Sequence, residues 1–409
     1  MVTLQNTTRK CSKWYPKVQH KNPSSKGRSR HIEKDISLKR RQLHHRIGLG
    51  AWVCNSPRKV MHGLDPQPLQ TIHPPATVDD SQKVEITGTR YLGSYSWLKG
   101  RKPAILVPGA PRIWTHRPTP FTLPPDSGYQ ACDFNALRLP PYPLLPIFIA
   151  VDAFDWASAD VVADCHSLLY LMAFANGQRR DFRMDLQLAG SKTILCTRWE
   201  PRVLMNSNPS GYGRNFELMR TRPALGCEHA ASHHRVITYD LAGMKMVVRA
   251  EVDACLPDPN GKAAYVQEVP QSALVELTTK RKSRNQRWSY KDMQMCLSQT
   301  PDLIYGVHQN GVFNEVVKKK NLDNVKGHRE FKLRLLRGAL EDVQQLVIRS
   351  GLRGRLTLVY EDMVMKVYQR NLENSLLPEE YLEMFQPKAS IFIDLLDSSS
   401  RTLSKIEAT

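Results

Sequence analysis

"MKMVVRAEVDACLPDPNGKAAYVQEVPQSALVELTTKRK", residues 244–282, places three acids where a folded core has no use for them. Glu251 and Asp253 stand one residue apart inside "VVRAEVDACL", and Glu276 stands inside "SALVELTT". Both runs are apolar and β-branched, and "PDPNG" between them is a strong turn signal. The pattern predicts two strands joined by a long hairpin-like connection. Strand side chains alternate faces, so Glu251 and Asp253 are expected on one face and Val248, Ala250, Val252 and Ala254 on the other. Buried carboxylates are costly unless paired or bound to a cation. Gathering a cation is therefore a function to test for these acids, against the plainer alternative of pairing with Arg220, Arg222 or Arg249.

The rest of the chain sets limits on that function. The 409 residues are 41% apolar, enough for one large domain or two ordinary ones. The net charge is +19, and residues 1–50 carry 13 Lys and Arg against Glu33 and Asp35 alone. A basic body with a more basic tail suits a polyanion, most simply nucleic acid. The eight cysteines form no CxxC pair and no zinc-finger spacing with histidine. That predicts free thiols in a reducing, intracellular setting. No apolar run approaches the ~20 residues of a membrane span. "LKRRQLHHR" (38–46) reads as a nuclear address, with the cytoplasm as the alternative. Two prolines and the lack of an apolar stripe argue against a mitochondrial presequence.

Periodicity supplies the layout. A polar, basic extension is expected over 1–80, one domain over 81–395 and a tail over 396–409. "VEITGTRYLGSYSWL" (84–98) alternates like a strand, and the proline-rich 102–129 is expected to lie extended across the domain. A helix is expected over 158–175 behind a Ser/Asp cap, two strands over 181–200, and a Gly-rich turn into a short helix over 211–221. A helix at 288–299, a hairpin turning at Asn310-Gly311, an amphipathic helix over 329–351 and a hairpin over 355–369 complete the series. The fold class is mixed α/β (α+β): a single large domain with two mostly antiparallel or mixed β-sheets flanked by helices.

The order "GYGRNFE", "EVD", "VELTT", "QMCLSQTPDLIYGVHQNGV" resembles the DXO family of RNA decapping nucleases and 5′-end exoribonucleases, over roughly 158–370. Each motif alone is weak; the four in order are moderately specific. The resemblance implies a nuclease-like metal site for Mg²⁺ or Mn²⁺ held by Glu217, Asp253, Glu276 and the main-chain carbonyl of Leu277. It implies that Glu251 orients a metal ligand or water, and that Gln294 positions substrate or water. Hard oxygen donors of this kind suit those ions. Lys280, Arg198 and Trp288 are expected at the substrate. Trp288 and Tyr290, among basic residues, could stack on bases or simply lead into the helix.

The sequence departs from the family twice. Thr278 stands where the family's Glu-x-Lys motif has lysine, and Cys165 aligns with an arginine. The implied activity is metal-dependent hydrolysis of RNA 5′ ends, removing incomplete or non-standard caps and extending to 5′–3′ trimming. The two departures favour the alternative of a catalytically impaired 5′-end-binding protein or a stabilising partner of a 5′–3′ exoribonuclease. The adjacent His233 and His234 point to opposite strand faces and make a poor shared metal site.

Overall fold

The structure is a computed structural model that describes residues 17–19, 32–35, 59–74, 83–258, 269–285, 288–320, 326–351, 354–370 and 375–386. The chain builds a sheet of twelve strands, a sheet of seven and a two-stranded ribbon. This is the α+β architecture with two large sheets that the sequence predicts. The segment 38–46, the tail 396–409 and most of 1–58 lie outside the described residues.

In the middle of the large sheet, Val161–Asp164 runs parallel to Met244–Glu251 on one side and to Thr193–Trp199 on the other. Val161 and Ala163 join the core cluster on one face of the sheet, while Val162 joins the cluster on the other. A strand buried on both faces is a continuous apolar run, which in sequence is indistinguishable from the start of a buried helix. This corrects the expectation of a helix beginning near 158. The helix Cys165–Ala175 starts after the strand, and Asp164 caps it by accepting from the Ser167 amide at 2.9 Å. The two sides of the turn at Gly190 appear as expected, as the antiparallel strands Phe182–Ala189 and Thr193–Trp199.

The face of the sheet that carries Val161 is covered by Cys165–Ala175 and the long helix Lys326–Arg349. Leu333, Leu336, Leu340, Val343 and Val347 of that helix are all buried, as their spacing predicts. The opposite face is covered by Leu145–Ala150 and by residues near Phe385. Residues 59–74 were expected in a separate extension but belong to the fold. Gln70–Ile72 pairs with Met365–Val367 at the sheet edge, and the buried Arg183 guanidinium donates to the carbonyls of Val60 and His62, both at 2.7 Å. A buried guanidinium needs several acceptors, and this segment supplies two of them.

The opening stretch departs from a simple hairpin. Met244–Glu251 ends in the twelve-stranded sheet, Val252 and Asp253 cross over, and Ala254–Cys255 joins the seven-stranded sheet. There Ala254 faces Val275 and Cys255 faces Leu274 across an antiparallel pair. Leu274–Arg281 then runs parallel to Asp302–Gln309, which turns at Asn310-Gly311 into Val312–Lys320. The hairpin Arg355–Glu361 to Val364–Gln369 turns on Asp362 and Met363, which both hold positive φ, one position beyond the expected Glu361-Asp362 tip.

Leu340→Ala is expected to destabilise the protein by about 2–5 kcal/mol, read as a lowered urea midpoint, because a fully buried leucine leaves a cavity between helix and sheet.

Candidate active site

The crossover at 252–253 is where the acids meet. Glu251 is the last residue of its strand and is open to water, while Val252 is buried and Asp253 half-buried, so the expected alternation holds through the crossing. Asp253 Oδ2 accepts from the Leu277 amide at 2.8 Å. On a strand the amide and carbonyl of one residue point to the same edge. The Leu277 carbonyl is therefore turned to the side where Asp253 stands, beyond the last pair with Ala254–Cys255. Glu276, one residue earlier, is buried and accepts at Oε1 from Lys291 Nζ at 2.5 Å and Gln294 Nε2 at 3.1 Å. Both donors lie on the helix Ser289–Ser298.

Glu217 arrives from another direction, on the helix Gly213–Arg220. Asp126 starts that helix from a distant loop, accepting from the Arg214 amide at 3.2 Å and the Asn215 amide at 2.9 Å. Phe216 is fully buried and stacks on Phe313 with ring centroids 5.5 Å apart. A Cβ at Gly306 would lie 2.6 Å from the Phe216 ring, so the glycine lets the aromatic seat against the strand. That seating fixes the neighbouring Glu217 beside the other acids.

The carboxyls act on one another electrostatically. Burial, then Glu251 and Glu276, push the Glu217 carboxyl up to about 8. Although Glu251 keeps an open side, desolvation by the protein packed around its carboxyl raises it to about 7, with Arg198 opposing and Asp133 and Glu276 reinforcing. Burial, Glu276 and Glu217 hold Asp253 well above the usual carboxylate range. Each acid feels at least one of the others, although Glu217 is distant from them in sequence. Among the described residues, no three His, Cys, Asp or Glu side chains stand close enough to grip a common ion as placed. By chemical type the donor set, carboxylate oxygens and a carbonyl, suits a hard divalent cation.

The other expected contacts fall differently. Arg198 is a correction: its guanidinium lies 3.4 Å from Asp133, 3.2 Å from Glu200 and 3.8 Å from Asp164, and it donates to the Cys132 carbonyl at 2.6 Å. Enclosed by these acceptors, it anchors the strand behind the site and is not presented to a phosphate. Trp288 packs on Tyr305 at 5.0 Å in a small cluster with Met295 and Leu303, which turns its ring inward. Tyr290 is the exposed aromatic of that helix start, and the Arg180 guanidinium lies over both Tyr290, at 4.8 Å, and Tyr170, at 4.5 Å. Lys280 lies on the Glu276 face of the strand but four residues on, about 13 Å of strand rise. Cys165 is buried, and its thiol donates to the Gln294 carbonyl at 3.6 Å. His233 and His234 are buried on separate partners, Ser96 and Ser232. Sequence reasoning missed Lys291, whose signal was its place one helical turn before Gln294.

Residues 67–264 match a family model described as a domain of unknown function, DUF8563. No curated protein matches the chain in sequence. Among solved structures, Rai1 of S. pombe superposes with a TM-score of 0.53 at 17% identity, covering 73% of this chain and 99% of its own. Rai1 of Candida albicans, solved with pU5 and Mn²⁺, superposes at 0.53 with 14% identity, covering 77% and 99%. Rai1 of Scheffersomyces stipitis, solved with (3′-NADP)⁺ and calcium, gives 0.53 at 12% identity, covering 78% and 99%. The protein has the fold of these Rai1 proteins, the fold expected from the DXO-family resemblance of its motifs.

In ion-free buffer the melting midpoint is expected to fall as pH rises from about 6.5 to about 8.5. Glu217 and Glu251 keep protons in the folded state that the unfolded chain has already released, so stability drains as pH climbs through their raised values. The buried His233 and His234 are neutral in the folded state, and the unfolded chain's histidines give up their protons through about pH 6.5, so their opposing effect fades above about pH 7. Glu217→Gln should flatten the slope; an unchanged slope by calorimetry would show that Glu217 does not keep its proton in the folded state.

Proposed function

We propose that this protein hydrolyses RNA 5′ ends with a divalent ion, removing incomplete or non-standard caps and trimming 5′ to 3′, and that it works in the nucleus on its basic surface charge. The observation that carries this reading is the convergence of Glu217, Glu251, Asp253 and Glu276 from two sheets and a helix into one electrostatically coupled group. The fold neighbours solved with pU5 and Mn²⁺ and with (3′-NADP)⁺ and calcium lend support to RNA and metal as ligand classes.

Glu217, Asp253, Glu276 and the Leu277 carbonyl would hold Mg²⁺ or Mn²⁺. Such an ion, when bound, offsets charge on a phosphate and lowers the pKa of a nearby water. Glu251, which keeps an exposed side at its strand end, would orient that water and accept its proton. Its value near 7 leaves it able both to take a proton and to release it at neutral pH. In the reaction the water oxygen bonds to phosphorus as the bond from phosphorus to the leaving oxygen breaks, and the water's proton passes through Glu251 to solvent. Gln294, through its amide, fixes Glu276. The basic surface would hold the strand through phosphates, with strong salt dependence.

The second reading, a 5′-end-binding protein of impaired chemistry that stabilises an exoribonuclease, rests on Thr278 in place of lysine. One experiment separates the two. Pure protein is incubated with 5′-triphosphate and capped RNA in Mn²⁺. Released nucleotides are expected, and Asp253→Ala should slow release more than about a hundredfold. Tight binding that depends on the state of the 5′ end, without product, would favour the second reading.

A further inference from the structure

Four carboxylates in one pocket create a difficulty for the chemistry just proposed. A phosphodiester and the hydroxide that attacks it are both anions, and the acids repel each of them. The strand that carries Glu276 offers no remedy, since the next residue on its face is Thr278. The remedy comes from the neighbouring helix. Lys291 Nζ stands 2.5 Å from Glu276 Oε1, with the lysine side chain 24% exposed and the glutamate 6%. Lys291 and Gln294 sit three apart on Ser289–Ser298 and donate to the same carboxylate oxygen. One helix face therefore presents both a neutral and a charged donor to one acid. An ammonium has three donor hydrogens, and Glu276 uses one. The Lys291 side chain is 24% exposed, so its remaining hydrogens are not all enclosed.

We propose that Lys291 is the cationic catalytic residue of this pocket, its ammonium contacting the reacting phosphate and the attacking water from the helix rather than from the strand. The inference rests on the hydrolytic reading above and names a residue for it. As the phosphorus–oxygen bond to the leaving group breaks, charge builds on the phosphate oxygens, and a fixed ammonium stabilises it without itself giving up a proton.

A lysine that served only as a tether for Glu276 would differ in a measurable way. Removing a tether loosens an ion ligand, whereas removing a cation from an ion site relieves repulsion. The test takes Lys291→Met and, as a second variant of closer polarity, Lys291→Gln, both first verified as folded by their melting midpoints. Mn²⁺ binding to the RNA-free protein is measured by calorimetry, and hydrolysis of 5′-phosphorylated RNA is measured in parallel. The proposal expects tighter Mn²⁺ binding, by about three- to tenfold, from the loss of a like charge. It expects kcat to fall by about a hundred- to a thousandfold with KM within about threefold. Adding Thr278→Lys to Lys291→Met should restore at least about tenfold of kcat, by returning an ammonium from the same face of the strand. Weaker Mn²⁺ binding in both variants would show a tether and overturn the proposal. Variant rates within about threefold of an active parent would also overturn it, leaving the hydrolytic function intact. A parent that hydrolyses nothing would overturn both, and is told apart from the other failures by the parent alone.

Discussion

Repulsion among Glu217, Glu251, Asp253 and Glu276 is the constraint around which the rest of the molecule is arranged. Burial first, and then the neighbouring like charges, push the carboxyls of Glu217 and Asp253 above the usual carboxylate range. Nothing in the packing of a core calls for such a group. It persists because elements with their own reasons to fold deliver each acid to the same place. Asp253 is held by the Leu277 amide, Glu276 by Lys291 and Gln294, and Glu217 by the seating of Phe216. A cation is the natural counterweight, and the oxygen-only donor set describes its type.

The two sheets meet at the acids. Met244–Glu251 is clamped in the twelve-stranded sheet by Val161–Asp164 and Ala230–Leu241, and Ala254–Cys255 is clamped in the seven-stranded sheet. The two residues between them cannot move far without unzipping one sheet or the other. Positioning of this sort costs little at the site because the stabilisation lies in the flanking ladders and cores.

Behind the pocket lies a second charged group with a different character. Arg198 and Arg249 share Asp164, Arg198 also meets Asp133, and Arg249 donates to the Pro143 carbonyl. Here the charges are paired and enclosed. Asp164 both caps the helix Cys165–Ala175 and meets the guanidinium groups, so one carboxylate ties the helix start to the sheet. Breaking such a buried network leaves uncompensated charge, which makes it a rigid backing for the neighbouring site. The contrast separates the two groups: around Arg198 and Arg249 opposite charges are paired, whereas Glu217, Glu251, Asp253 and Glu276 set acid beside acid with Lys291 as a cation against Glu276.

Much of this was written in local sequence. The 3.6-residue spacing from Leu333 to Val347 announced its helix, Asn310-Gly311 announced its hairpin, and the four acids were legible as candidates from residue type and order. Local rules failed where two structures share one pattern: "VVAD" suits a buried strand as well as a helix start, and only its neighbours on both sides decide. Arg198 and Trp288 carried the chemistry of substrate contacts, yet burial gave them partners inside the protein. Lys291 was one more lysine in a basic run until the helix turned it onto Glu276. Residue types and periodicity depend on chain neighbours and are readable along the chain. Which acid meets which cation depends on contacts between residues distant in sequence, and those exist only once the sheets have closed.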